Sequence, residues 1–439
     1  MILRAVMEEM NRLPPDHPDR LALADEVHAR PPEPLDQPVR ATYLALLVDA
    51  AERDAEREHL ARLCASFGVA PPTHGVTQFS ARLGAVRAKW ERHGEFSGWT
   101  FIAPGLDEPP FGEPAAALLP PGWLAALPGR TLVGAHARYL HGGDARPDPA
   151  ALADHFGTNI VVGGAVGDGA GHAFTDFRIH ADGCARFLLV NRSFTPRQAG
   201  RMLQRLFEIE AYRMLGLLAL PIARRQLPAI VAIEQSLATL TARIAREDGH
   251  EEALLHELTR MAAEVESSLA ASQFRLGATR AYSELVRTRI AELREQRLPG
   301  TQTIDEFMAR RLAPAVATCS TVSQRLHDLS ERVAQASSLL ATRVGIARER
   351  QNQALLASMD RRAKLQLRLQ QTVEGLSVAA IVYYVAGLVG HLAKGAQAAG
   401  LAIEPELIVG LAIPVIAGLA WLTIRRVHRH IDAAERGSP

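Results

Sequence analysis

The sequence predicts an α+β protein with three parts. These are a largely antiparallel sheet domain at the N-terminus, a stalk of long antiparallel helices, and two C-terminal transmembrane helices. Three observations carry this reading. Short apolar runs separated by glycine and proline fill residues 1–194. From Thr195 onward the apolar spacing turns helical, with capping boxes at two starts. Near the end, 376–393 and 407–424 are each eighteen residues without a formal charge.

Composition narrows the function classes. The chain has 439 residues, 49 Lys+Arg against 48 Asp+Glu, and a net charge of +1, so no bulk electrostatic pull toward nucleic acid is expected. With 48% hydrophobic and 22% charged residues the chain is not mainly disordered. Cys64, Cys184 and Cys319 lie far apart with no C-x-x-C pair, which excludes a disulfide framework and fits a reducing cytoplasm.

In the first part, strands are expected at 41–48, 76–83, 86–91, 96–103, 131–140, 159–166, 172–180 and 184–190, with a charged amphipathic helix at 51–67. The stretches 104–121 and 141–149 read as loops. Asp182-Gly183 is a strong two-residue turn signal, which would set Ala181 opposite Cys184. Thr175, Phe177 and Ile179 would then share the core face with Leu188 and Val190, leaving Asp176, Arg178 and His180 opposite.

Thr195-Pro196-Arg197-Gln198 is a capping box with proline at the first helical position. The helix it opens should run to Asp248-Gly249 with kinks at Pro221 and Pro228, a second should cover 251–297, and a third should open at the capping box Thr303–Glu306. In that third run Cys319, Val322, Leu326, Leu329, Val333, Ala336, Leu340 and Val344 form a coiled-coil-like stripe. Continuous into the first span, it would be ~90 residues and ~135 Å long. The stripe calls for partners within the chain or from other copies, and a homo-oligomer is expected.

Each eighteen-residue run spans ~27 Å as a helix, enough for a hydrocarbon core. Arg361, Arg362, Lys364 and Arg368 precede the first, and Arg425, Arg426 and Arg429 follow the second. That pattern places both termini in the cytoplasm, with the chain held in the inner membrane and a basic tail at 425–439. No signal peptide is expected, because 1–13 has no apolar run.

Site signals are few. Asp176 and Arg178 are candidate binding residues on a mixed face, with an ion pair between them as the plainer reading. Glu26–Pro32 puts His28 and Arg30 on a proline-stiffened loop suited to an anion. His155 belongs to a group with His136, His141, His172 and His180 that lacks zincin spacing. The glycines from Gly163 to Gly171 look like a phosphate loop, but strand-like residues follow where a helix is needed. No catalytic motif, metal ligand set or cofactor is predicted. If the spans formed a pore, Ser377, Tyr384 and His391 would line it.

The stretches 13–18, 26–31, 155–159, 194–201 and 358–377 resemble an uncharacterised bacterial membrane-anchored family, domain of unknown function 3422. That resemblance implies membrane attachment and no assigned activity. The layout is also similar to the CorA-type magnesium channels, whose Gly-Met-Asn signature is replaced here by Gly390-His391-Leu392-Ala393-Lys394. Scaffolding or sensing at the membrane is therefore the leading expectation, and a two-span ion channel or transporter its alternative.

Overall fold

The computed structural model describes residues 14, 16–21, 23–24, 31–143, 148–246, 251–399 and 404–435. The chain falls into two compact units, Met1–Ser337 and Ser338–Pro439. The first is built on an eight-stranded sheet. Its strands are β1 (Val39–Leu47), β2 (Gln78–Leu83), β3 (Val86–Arg92), β4 (Phe96–Pro104), β5 (Arg130–His141), β6 (Val162–Val166), β7 (Gly171–Thr175) and β8 (Ala185–Asn191). They lie in the order β2-β3-β4-β1-β5-β8-β7-β6, and β5–β8 is the parallel pair in an otherwise antiparallel ladder.

The helices are α1 (Arg53–Ser66), α2 (Pro149–Phe156), α3 (Pro196–Leu217), α4 (Leu220–Arg246), α5 (Glu251–Leu293), α6 (Ile304–Arg311), α7 (Ala313–Ala398) and α8 (Pro405–Glu435). Helix α2 begins in what the sequence suggests is a loop; Asp148 caps it through the Ala150 amide and Pro149 opens it. The helix expected from Thr195 to Asp248 breaks at Leu218–Ala219, and Pro221 falls in the first turn of the next helix, where its missing N–H costs nothing. Pro228 lies inside α4, and 247–250, where that run was expected to end, lie outside the described residues.

Strand alternation gives each face of the sheet its own core. The inner face presents Ala41, Tyr43, Ala135, Ala137, Phe187 and Leu189 to α3, to the end of α5 and to α6. The outer face is covered at one end by α1 through Leu60 and Leu63 over Trp90, Trp99 and Phe101. At the other end α2 packs Leu152 and Phe156 on Phe174, Leu188 and Val190.

Two expected details are corrected here. Thr175 sits opposite Phe187 and Phe174 opposite Leu188, three residues away from the register that a two-residue Asp182-Gly183 turn would impose. Phe177 adopts φ 51°, which ends β7 at Thr175 and turns 176–184 into a loop. The odd-numbered shift puts Thr175 on the Phe187–Leu189 face, and Ile179 is 64% exposed. The glycine-rich stretch is the β6–β7 hairpin, and its glycines serve a close approach. A Cβ on Gly164 would stand 2.5 Å from the carbonyl oxygen of Gln296, a segment that exchanges main-chain hydrogen bonds with Ala165 at 2.7 and 3.0 Å.

The α4–α5 pair is antiparallel, tied by Gln226 donating to the Ser268 carbonyl (3.1 Å) and by Arg243–Glu257 (3.4 Å). Arg325 of α7 grips Glu234 of α4 at 3.1 and 2.6 Å, and both α4 and α7 bury apolar stripes. The α7 stripe from Cys319 to Ala336 is buried within the single chain, whereas Val344 is half-buried. Beside the stripe, Arg325 reaches Glu234 of α4 and the Ser330 hydroxyl donates to Glu266 of α5. At the start of α6, Thr303 Oγ1 accepts the Glu306 amide (3.1 Å) and Glu306 accepts the Thr303 amide (3.2 Å). Thr303→Ala should cost ~1 kcal/mol. A thermal melt of the variant that overlays the parent would remove this cap from the account.

Among the described residues three helical stretches are long and apolar enough to cross a membrane: Pro196–Arg246, Ile304–Ala398 and Pro405–Thr423. In the second unit α7 runs on without a break to Ala398, giving an 86-residue helix.

Candidate functional site

Between the two caps on the outer face lies a polar patch built by strand alternation. Register sets Arg40 opposite Arg138 and Thr42 opposite His136, and the parallel pair sets His136 opposite Arg186. Three guanidinium groups thus occupy neighbouring positions on one buried face. Their side chains are 12%, 3% and 24% exposed for Arg40, Arg138 and Arg186.

The 105–114 loop supplies the acids. Asp107 Oδ1 lies 3.5 Å from Arg138 Nε, Arg138 donates to Glu108 at 3.1 Å, and Arg40 donates to Glu113 at 3.2 Å. Of these carboxylates Asp107 is buried, while Glu108 and Glu113 have side chains 78% and 62% exposed. Phe111 is wedged among them: Arg186 stacks over its ring at 5.0 Å, and its edge meets His155 at 5.9 Å. His155, carried by α2, gives its carbonyl to Arg186 (3.3 Å). Burial pushes the imidazoles of both His155 and His136 below the usual histidine range, so both rings are neutral at pH 7.

His155 is thus the one predicted site residue that joins this patch. The three arginines were missed, although polar residues at alternate positions of apolar strands (Arg40 and Thr42, His136 and Arg138) were a readable signal.

Asp176 is buried and belongs to a different arrangement. It accepts from Asn159 Nδ2 (2.7 Å), His180 Nε2 (2.9 Å) and the Arg178 main-chain amide (3.1 Å). Arg178 itself is exposed and contributes only that amide, so the expected Asp176–Arg178 ion pair gives way to a carboxylate that pins the 176–184 loop to Asn159. Asp176→Ala should cost about 2–4 kcal/mol by stranding these donors, and Arg178→Gln less than about 0.5 kcal/mol. Equal melting shifts for the two variants would refute this division. His28 and Arg30 lie outside the described residues. Among the described residues no three His, Cys, Asp or Glu side chains gather as metal ligands.

On the inner face, Lys89 and Glu91 pair at 2.8 Å beneath α3, with Lys89 also donating to Gln204 (3.4 Å). They border a cavity of about 40 Å³, together with Tyr43, Glu208 and Tyr212. That is room for roughly three waters at ~10–15 Å³ each, not for a metabolite. Burial raises Tyr43 well above the usual phenol range and, with the Glu208 charge adding to it, Tyr212 to about 12, so both phenols stay protonated. Ion pair and phenols make a structural polar network.

Both His155 and Asn159, one beside the arginine patch and one holding Asp176, fall in a stretch that carries the family resemblance. The family model described as Protein of unknown function (DUF3422) matches residues 15–431. The chain belongs to the DUF3422 family. No curated protein and no solved structure matches it. In this DUF3422 chain the second unit has an open groove of about 860 Å³ between α8 and the end of α7. Tyr384 and His391 line it, and Ser377 does not; the Ser377 hydroxyl donates to the Val373 carbonyl (2.9 Å) in its own helix. The two helices approach closely at Gly390, where a Cβ would be 3.1 Å from Val409 Cγ2.

Proposed function

We propose that this chain is an inner-membrane protein with two C-terminal spans, 376–393 and 407–424, and that it holds residues 1–194 in the cytoplasm on a helical stalk, 195–375, to scaffold or to sense. The observation that carries this is exposed apolar surface: Leu376, Tyr383, Leu388, Leu392, Leu411 and Leu419 are each more than 60% exposed. On helices of this length such surface calls for lipid.

The third apolar stretch has no such need. Ala223, Ile230, Ile233 and Leu237 of α4 are buried in protein, and Arg224 with Arg225 would each cost ~2.5–3.5 kcal/mol at a bilayer centre. Arg361, Arg362 and Lys364 on one side and Arg425, Arg426 and Arg429 on the other support cytoplasmic termini. Leu355, Leu356 and Met359, all exposed on α7 ahead of the first span, support self-association.

Reporter fusions at Met1 and after Pro439 should both signal cytoplasm, and the chain should resist alkaline extraction. A periplasmic signal at either end, or release from the membrane, would overturn the reading. The groove lined by Tyr384 and His391 favours a second reading, a pore assembled from several copies. Ion flux through reconstituted protein would select it over the scaffold.

A further inference from the structure

We propose that the arginine patch on the outer face of the sheet is a binding site for a small soluble phosphate that carries one proton, either inorganic phosphate or a phosphate monoester. The proposal is independent of the membrane reading. It begins with charge. Arg40 stands directly opposite Arg138, where like charges repel, and Arg186 lies diagonal to Arg138, opposite His136. The carboxylates that face them are Asp107, which is buried, and Glu108, Glu113 and Asp182, whose side chains are 78%, 62% and 35% exposed and largely screened by solvent. Among the described residues Asp107 alone offers a fully desolvated counter-charge to the three guanidinium groups.

Hydrogen-bond accounting points the same way. The Nε atoms of Arg40, Arg138 and Arg186 are buried with no hydrogen-bond partner, and Asp107 Oδ1 and His155 Nε2 share that condition. Asp107 Oδ1 and Arg138 Nε face each other across 3.5 Å as an ion pair without a hydrogen bond between them. Buried polar atoms of a native fold are normally satisfied, so a group of them on one patch marks a missing partner. Three orphan donors call for an oxyanion, and the guanidinium fork suits phosphate geometry.

His155 decides which oxyanion. Its Nδ1 lies 2.8 Å from the Ala151 carbonyl oxygen, an acceptor, so Nδ1 carries the ring proton and Nε2 presents a lone pair. Burial, reinforced by Arg138 and opposed by the Ala151 carbonyl, Asp154 and Glu108, lowers its pKa and keeps that ring neutral. The ligand must therefore accept from arginine and donate to Nε2. A phosphate monoester, with its second pKa at ~6, still carries a proton near neutrality at modest cost. A carboxylate, titrating at ~4, does not. At the edge of the patch the Glu108 side chain is 78% exposed and that of Arg186 24% exposed.

The test is calorimetric titration of the full chain in detergent with inorganic phosphate, glycerol phosphate and acetate in turn. The expected result is saturable binding of one phosphate-type ligand per chain, with acetate at least tenfold weaker. The first two arms separate free from esterified phosphate. Arg186→Met should weaken binding tenfold or more, while Arg178→Gln, exposed and off the patch, should leave it unchanged. Should Arg186→Met fail to fold, Arg186→Lys keeps the charge, loses the fork and should show the same loss. Absence of saturable binding with both phosphates, acetate binding as tightly as phosphate, or parental affinity in the folded Arg186 variants would each overturn the proposal.

Discussion

Glu56→Ala should destabilise the first unit by about 3–5 kcal/mol, the range for removing one partner from a buried charge network. The α1 carboxylate is fully buried and holds four groups together. Its Oε1 accepts from the indoles of Trp90 and Trp99, both at 3.1 Å, and its Oε2 accepts from Ser97 Oγ at 2.9 Å. Arg92 Nη2 lies 3.5 Å from Oε2 and stacks on Trp90 at 5.0 Å. Alanine would leave two indole N–H groups buried in an apolar cluster with no acceptor, besides an arginine deprived of its counter-charge. Glu56→Gln keeps the Oε1 position for both indoles, and Ser97 can rotate to accept, so the loss should be intermediate. Tryptophan fluorescence is the natural readout, since Trp90, Trp99 and Trp123 all lie in this cluster. A Glu56→Ala melt no lower than that of an exposed-site variant would show that the helix does not hang on this residue.

The same residue shows what a sequence can and cannot disclose. Periodicity sufficed to place α1, because a charged amphipathic helix is written in residues a few positions apart. Nothing local distinguishes Glu56 from Glu58, which faces solvent; its role depends on two tryptophans on strands that pair only in the fold. The β strands were legible for the same local reason, and each of the eight overlaps its expected range. The β7–β8 register was not, because Phe177 takes a left-handed conformation in a loop whose Asp176 is bonded by Asn159 from outside the hairpin. The site fared likewise. His155 stood out as a histidine among histidines, but the arginines that give it a setting lie on three strands, and cross-strand neighbours require the register first. The parallel β5–β8 pairing, which brings His136 beside Arg186, had no sequence signal at all.

Gly200→Ala should have the opposite sign to its helix propensity. In an open helix, glycine to alanine gains up to ~1 kcal/mol. Gly200 sits in the first turns of α3, where a Cβ would lie 1.9 Å from the Glu33 carbonyl oxygen and 2.9 Å from its carbon. Both are main-chain atoms, and the segment they belong to is fixed to α3 by the Leu35 amide donating to the Pro196 carbonyl at 2.9 Å. Neither partner can yield as a flexible side chain would. The segment must lift away, taking Leu35 out of the inner core, and overpacking of this kind costs ~3 kcal/mol or more. Gly277, mid-way along α5, has nothing within 4 Å of its would-be Cβ. Gly277→Ala should therefore stabilise by ~0.5–1 kcal/mol, and the pair of melts should move in opposite directions. If Gly200→Ala rises with Gly277→Ala, the 33–35 segment does not cross α3 at contact distance, and the inner core closes in some other way.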